Sequence, residues 1–347
     1  MSQPEEIFCK KVAVVVLGYN SLDYLKKFLP TILETSYKDF TLVYVDNGSK
    51  DESVAYVTEK FPEVEIFRIY INKGFANGYQ ESLQYINAKY YVLLNSDVAV
   101  TPDWLSILME EMEQDPTIGA CQPKMLHEPK PEIFDYAGAS GGFMDVFCYP
   151  FCRGRMFHHW EPDENQYDNT CEIFWASGAS MLIRSDVYHQ VGGLDEDFYA
   201  HMEEIDLCWR VKNAGYKIIA VPKSTVYHVG GSIISYGSFS KIFHNYRNNL
   251  IMMVKNLSLG RLVILLPIRM MLDLVAAARG LLMRNFTEFR AIITAHFKFI
   301  LGLNKWIKAR KSARKLVEKP NLNGWYKRSL VVDVFIKGKS KFSELSQ

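Results

Sequence analysis

The chain contains no CxxC pair. Its six cysteines, Cys9, Cys121, Cys148, Cys152, Cys171 and Cys208, are scattered, and Cys148 and Cys152 have no His or Cys pair beside them. This excludes the usual spacings of a zinc site and leaves free thiols of a reducing compartment as the expectation. GxGxxG and GxxxxGK[ST] are also missing, so neither dinucleotide-type nor P-loop phosphate binding is expected. Long apolar runs are absent as well. Leu262–Ile268 stops at Arg269, and Arg261, Asp273, Arg279 and Arg284 interrupt every longer window. A spanning helix needs about 18–20 mostly apolar residues, so none is expected. The opening Met1-Ser2-Gln3-Pro4-Glu5-Glu6 lacks the basic and apolar regions of a secretory leader, which points to a cytoplasmic chain. No internal repeat or low-complexity tract occurs.

Net charge is nearly absent too, at +1 over 347 residues, but that value hides two opposite halves. From Ser238 onward 21 Lys and Arg stand against 5 Asp and Glu, a balance of +16; residues 1–237 hold 19 against 34, or −15. An acidic half suits cation binding, and a basic half suits an anionic surface. The basic half is strongly apolar and carries no RNA- or DNA-binding motif, so a membrane is favoured over nucleic acid. The apolar share of 48% is ample for a full core.

What is present in the first half is an alternation of strand-like and helix-like segments. Val12–Leu17, Phe40–Val45, Val64–Ile69 and Tyr90–Leu94 read as buried strands. Between them lie helical patterns from Asn20 or Ser21 to about Ser36, from Asp51 to Phe61 and from Phe75 to Asn87; another opens at Pro102 and runs to Gln114. This rhythm predicts an α/β fold with a mostly parallel central sheet and helices on both faces. Residues from about Cys121 to Thr170 are aromatic and aperiodic, and are expected as loops and short strands, either irregular core or a ligand-binding wall. Trp175–Arg184 and Thr225–His228 read as strands, and Tyr199–Asn213 as a helix stopped by Gly215. Residues 1–235 form the expected α/β domain, in halves of about 11–120 and 121–235. Residues 236–347 form an amphipathic, basic helical region.

Chemistry-bearing residues cluster at the predicted strand ends. Tyr90–Leu94 ends in Asn95-Ser96-Asp97, where ligands of open α/β sheets bind, and a carboxylate there suits a divalent cation. Asp46-Asn47-Gly48-Ser49 follows the second strand, and Asn72-Lys73-Gly74-Phe75 the third, with a glycine that permits close backbone approach. Six acids lie between Asp195 and Asp206. Glu203, Asp206 and Arg210 share a helix face, whereas Glu204 points elsewhere and suits a general base. His228 ends the last strand, as a possible metal partner of Asp97.

In this order the pieces resemble family 2 glycosyltransferases of the GT-A fold, particularly bacterial rhamnosyltransferase-like members. The resemblance covers roughly residues 11–232. It rests on Val-Leu-Gly-Tyr-Asn (16–20), Val-Asp-Asn-Gly-Ser (45–49), Asn-Lys-Gly-Phe-Ala (72–76), Leu-Leu-Asn-Ser-Asp (93–97), Ser-Gly-Ala (177–179), Gly-Gly-Leu-Asp-Glu-Asp-Phe (192–198), Glu-Glu-Ile-Asp-Leu (203–207) and Tyr-His-Val-Gly-Gly-Ser (227–232).

It implies a nucleotide-sugar half at about 11–120 and an acceptor half at about 121–235. Tyr19 and Asp46 would hold the nucleoside, with Asn20, Asn72, Gly74, Phe75, Asn95, Ser96, Trp175 and Gly178 in the substrate pocket. Asp97 and His228 would hold Mg²⁺ or Mn²⁺, with Asn95 in place of a first acid. Glu204, or its neighbour Glu203, would be the catalytic base. The implied reaction is inverting transfer from a dTDP- or UDP-sugar to a glycan or lipid-linked acceptor in cell-surface polysaccharide synthesis, at the inner face of the membrane. Two other functions are open to the residues alone: a sugar-1-phosphate nucleotidyltransferase, and a non-catalytic membrane-bound scaffold. The first would need a basic, glycine-rich loop where Gly18-Tyr19-Asn20-Ser21 stands.

Overall fold

The computed structural model describes residues 5–230 and 237–345. Gly231 and Ser232, the first four residues and the expected boundary at 235/236 lie outside the described residues. Four strands, Val12–Gly18 (β1), Phe40–Asn47 (β2), Glu65–Ile69 (β3) and Tyr90–Asn95 (β4), run parallel, with helices Leu22–Leu33 (α1), Ser53–Lys60 (α2) and Phe75–Ser82 (α3) between them. Short Val98–Val100 (β5) leads to Trp104–Gln114 (α4) and the long Ile118–His127 (β6). Ser180–Arg184 (β7), Glu203–Asn213 (α5) and Lys217–His228 (β8) follow. Across the sheet the order is β8-β6-β7-β4-β1-β2-β3. β7 is antiparallel to both its neighbours, and β5, Lys130–Phe134 and Cys171–Glu172 pair antiparallel beside β6 and β8, so the sheet is parallel over most of its paired length and mixed at that side.

Alternation along β1 divides the core into two layers. Val12, Val14 and Val16 pack with Leu25, Leu29, Val57, Trp104 and Leu108, so α1, α2 and α4 cover one face. Ala13, Val15 and Leu17 pack with Ala76, Tyr79, Ile205 and Leu207, so α3 and α5 cover the other. Both faces are therefore buried, as the unbroken apolar strands require.

Some expected boundaries move. The third helix stops at Ser82, not Asn87, because Ile86–Asn87 pairs in parallel with Ile7–Phe8 and Tyr85 stacks on Phe67 at 5.6 Å. Burial at the sheet edge overrides the helical period there. The strand expected from Trp175 begins only at Ser180. That expected at Thr225 is the end of β8, which starts at Lys217 and shifts register between Val221 and Thr225. The aperiodic segment holds most of β6, its antiparallel partner Lys130–Phe134, and a small four-stranded sheet running from Gly142 to Trp160.

Beyond the sheet lie four helices: Phe239–Asn256 (α6), Leu259–Leu282 (α7), Phe286–Leu301 (α8) and Leu303–Lys315 (α9). They pack on the α/β body through buried polar contacts. Asp206 of α5 accepts from Arg210 at 2.9 Å, Lys255 at 2.7 Å and Asn256 at 2.8 Å. Burial opposes ionisation of Asp206, but Lys255 and Arg210 outweigh it and hold the carboxyl below its ordinary range. Glu203, expected on the same face, takes no part in this cluster. In the second polar core Arg269 donates to Asp273 at 2.8 Å and to Asn249 at 2.7 Å, and His296 lies 3.3 Å from Asp273.

Removing one partner of a buried, multiply paired ion leaves the others uncompensated. Asp206→Ala should therefore lower unfolding free energy by about 3–5 kcal/mol in urea titrations. A change under about 1 kcal/mol would show that the cluster does not join the two regions.

Candidate active site

The strand ends bring the candidates together. Gly18 pairs in register with Asp46, and Leu17 with Asn95, so the loops after β1, β2 and β4 leave the sheet side by side. Asn20 takes a left-handed turn at φ 49. Its N–H donates to Ser49 Oγ at 2.9 Å, and its Oδ1 accepts from Lys50 N–H at 2.8 Å. Tyr19 beside it is partly buried. Asp46 is buried, accepts from Ser49 N–H at 3.0 Å, and lies 3.9 Å from Arg68 of β3. Asn47 donates to Gly74 O at 3.0 Å, and Asn72 Oδ1 accepts from Gly74 N–H at 2.9 Å. Gly74 has φ +89, and a Cβ there would stand 2.5 Å from the Tyr199 ring. Only glycine lets this loop approach the segment before α5.

Asp97 and His228 are joined by strand pairing. His228 is opposite Val98 in the β5–β8 ladder, and Val229 N–H donates to Asp97 O at 3.1 Å. Both side chains are buried, with His228 Nε2 3.3 Å from Asp97 Oδ1. That separation is close to the about 3 Å between adjacent ligands of an octahedral ion bound at about 2.1 Å. The other ring nitrogen, Nδ1, lies 3.0 Å from Asp135 Oδ2. A carboxylate behind a ligand histidine fixes the ring and raises its basicity. Burial works against charge on His228, but Asp135 and Asp97 outweigh it and push the imidazole up to about 10. Burial likewise opposes ionisation of Asp135, and His228 brings its carboxyl below its ordinary range. Among the described residues no group of three or more His, Cys, Asp or Glu is arranged to hold an ion. Asp97 and His228, paired with each other here, would offer one oxygen and one nitrogen donor. That donor set fits a divalent cation whose other positions are filled by phosphate or water.

Asp135 is the site residue that the sequence reading missed. It follows Lys130–Phe134, inside the segment expected only as aromatic wall. Nothing in its local pattern marks it, because its partner is 93 residues away.

The third part is the start of α5, expected at Tyr199 but beginning at Glu203. Tyr199, His201 and Met202 all have left-handed backbones, at φ 63, 68 and 72. Such residues are costly without glycine, and their clustering marks a segment held by its surroundings. α6 supplies the hold. Asn248 Nδ2 donates to Phe198 O at 2.9 Å, Ala200 O at 3.0 Å and His201 O at 2.7 Å. Arg247 donates to Asp197 O at 2.9 Å, and His244 stacks on Tyr199 at 5.4 Å.

Glu203 and Glu204 emerge from this turn. A Cβ on Gly178 would stand 3.3 Å from the Phe75 ring and 3.4 Å from Glu204 Cβ, so the donor-side aromatic and the second glutamate meet over Gly178. Each glutamate has one enclosed carboxylate oxygen, Oε2, with no hydrogen-bond partner among the described residues. Burial pushes Glu204 up to about 7. Burial, then repulsion from Glu204, raises Glu203 well above its ordinary value. Such a carboxyl can take a proton near neutral pH. Trp175 is buried, rests on Gly142 and donates its indole N–H to Phe143 O at 2.9 Å. It anchors the adjoining small sheet. Asn95 N–H donates to Ala179 O at 3.0 Å, and Ser96 is buried.

The family model described as Glycosyl transferase family 2 matches residues 13–192. The chain is similar to the N-acetylglucosaminyl-diphospho-decaprenol L-rhamnosyltransferase of Mycobacterium tuberculosis, with 23% identity over 62% of this chain and 75% of that protein. It is also similar to rhamnosyltransferase WbbL of Escherichia coli K12, at 25% over 62% and 83%. Among solved structures, a Pyrobaculum calidifontis mannosyltransferase in complex with GDP-Man and Mn²⁺ aligns at TM-score 0.51 and 15% identity, covering 90% of this chain and 87% of that one. GalNAc-T7 with UDP, GalNAc and Mn²⁺ aligns at TM-score 0.56 and 16%, covering 71% of this chain and 48% of that one. These structural likenesses establish the GT-A-type fold.

The raised Glu204 carboxyl sets a direction for stability. Below the ordinary glutamate range it is neutral folded and unfolded, and costs nothing. As pH climbs towards 7 the unfolded state ionises first, so stability falls, and the full penalty stands above about 7. Glu204→Gln should match the parent's unfolding free energy near pH 4 and exceed it by on the order of 3 kcal/mol at pH 8, read in urea titrations. Equal free energies across that range would refute the shift.

Proposed function

The chain belongs to glycosyl transferase family 2, and we propose that it moves a deoxyhexose, rhamnose foremost, from a dTDP- or UDP-sugar to a hydroxyl of a lipid-linked or growing glycan. The sugar and the acceptor class are supported by the rhamnosyltransferases it resembles. The observation that carries the assignment of roles is the meeting of Phe75, Gly178 and Glu204, with an unpartnered oxygen on a carboxyl pushed up to about 7.

In this mechanism the loops after β1, β2 and β3 seat the donor. Asp46 and Tyr19 lie at the nucleoside end, and Asn72, Gly74 and Phe75 close over the sugar. Asp97 and His228 would hold Mg²⁺ or Mn²⁺, with Asp135 fixing the imidazole, and a cation bound there would neutralise charge on the diphosphate. The Mn²⁺ in both aligned structures supports a divalent ion. Glu204 accepts the proton of the acceptor hydroxyl. That oxygen bonds to the anomeric carbon from the face opposite the diphosphate while the bond to the diphosphate breaks, so the configuration inverts. Enclosure of Glu204 keeps water from competing as acceptor. The acidic body carries this chemistry, and the basic helical region keeps the protein at the inner face of the membrane.

The test is a panel of nucleotide sugars with a soluble acceptor analogue, read by anomeric NMR with and without Mn²⁺. Glu204→Gln should lose about 10²–10⁴-fold in kcat while donor affinity holds within a few-fold. Asp97→Ala should lose metal-dependent transfer and stay folded. Full turnover in Glu204→Gln, with loss in Glu203→Gln, would move the base to Glu203. Normal turnover in Asp97→Ala would dismiss the cation site.

A further inference from the structure

Helix α7 is inside out. The residues it buries against the protein include Arg269 and Asp273, an ion pair. The stripe it turns to solvent is apolar: Val263, Ile264, Met271, Leu274, Val275 and Leu282 are 66%, 63%, 59%, 47%, 62% and 85% exposed. A helix on the surface of a water-soluble protein has the reverse pattern. α8 extends the face with Phe286, Phe297 and Ile300, exposed at 58%, 59% and 55%. Exposed cations accompany it, namely Arg279, Arg284, Arg290 and Lys298. Across Leu259–Leu301 the acids are Asp273, paired inside, and Glu288.

An apolar face of this size calls for a cover. A second copy is disfavoured, because two such cationic borders would repel each other. No helix of the described residues is long and apolar enough to cross a bilayer. Apolar side chains among cations, on helices that do not span, suit an anionic lipid surface. Beside the face lies a cavity of about 360 Å³ whose walls include Ile264, Leu265, Leu322 and Trp325, with Arg261 and Lys327 among its lining. The Arg261 guanidinium lies 5.8 Å from the Trp325 ring centroid. Apolar walls with two cations match a phosphate group attached to acyl chains.

We propose that the outward stripes of α7 and α8 lie in the headgroup layer of an anionic bilayer, and that Arg261 and Lys327 hold a phospholipid phosphate in the adjoining cavity. The proposal rests on the membrane placement given above and names the surface responsible. It also orients the chain: Trp325 packs edge-on to Trp209 of α5 at 5.3 Å, so the lipid cavity backs onto the helix that carries Glu204.

The experiment is co-sedimentation of the full chain with phosphatidylcholine vesicles, with and without phosphatidylglycerol. The parent should bind the anionic vesicles. Leu274→Glu/Val275→Glu should weaken binding by at least about tenfold with Tm unchanged. Arg261→Glu/Lys327→Glu should lose the preference for phosphatidylglycerol. Equal binding by the Leu274/Val275 variant would overturn the face, and a preserved preference in the Arg261/Lys327 variant would overturn the phosphate site. Concentration-dependent dimers without vesicle binding, abolished by Leu274→Glu, would assign the face to a second copy and also overturn the proposal. Transfer to the soluble acceptor analogue is followed in the same samples. It should be unaffected by Leu274→Glu/Val275→Glu, so failure of the enzyme assignment and failure of the docking face give different results.

Discussion

The constraint on which the site depends is the left-handed turn before α5. Tyr199, His201 and Met202 each occupy a conformation that costs roughly 1–2 kcal/mol without glycine. The turn persists because Asn248 donates to three of its carbonyls and Arg247 to the approach. Each such bond contributes about 0.5–1.5 kcal/mol net and leaves no buried carbonyl unsatisfied there. The turn aims Glu203 and Glu204, and its Tyr199 ring fills the space left by Gly74 on the donor side. The Gly74 loop, the start of α5 and the C-terminal helices are therefore mechanically one unit. The helical region is part of the scaffold that positions Glu203 and Glu204.

That coupling also explains the split charge of the chain. Three of the acids between Asp195 and Asp206 meet cations from beyond residue 237. Lys255 bridges Asp195 at 2.5 Å and Asp206 at 2.7 Å, and Lys305 pairs with Asp197. Other cations close helix ends: Arg310 donates to the carbonyls of Val254 and Leu257, and Arg314 to that of Asn256. Asp97 and His228 instead pair with each other, and His228 with Asp135. Arg279, Arg284, Arg290 and Lys298 lie outward, next to the apolar stripes of α7 and α8.

Much of this was legible in the sequence where physics is local. Unbroken runs such as Val12–Leu17 can only be strands covered on both sides, and the loops at their carboxyl ends then had to hold the polar residues. Asp97 and His228 were readable as a pair because each ends a strand. Asp135 was not, since its role exists only through His228 across the sheet. The late start of α5 was hidden for a similar reason. Nothing in Tyr199–Met202 itself forbids helix, and the hold comes from α6, about fifty residues on. The inverted α7 was visible only as frequent charges in an apolar segment. Which side those charges face is decided by Asn249, Tyr149 and His296, partners remote from Arg269 and Asp273 in the chain.

Two adjacent carboxyls in one enclosed position constrain the chemistry further. Burial raises both carboxyls, and the charge of Glu204 raises Glu203 further. Lys255 and Arg210 do not relieve this, because Asp206, two residues further along α5, takes both. A charged glutamate without a cation partner is a strong proton acceptor but a costly ground state. An incoming hydroxyl is the donor such a carboxylate lacks, and binding it would relieve part of that cost. Of the two glutamates only Glu204 has its Cβ against Gly178, opposite Phe75. A side chain on Gly178 would crowd both neighbours, with its Cβ 3.3 Å from the Phe75 ring and 3.4 Å from Glu204 Cβ. This contact with Gly178 and Phe75 is the ground on which Glu204, and not Glu203, is proposed as the base.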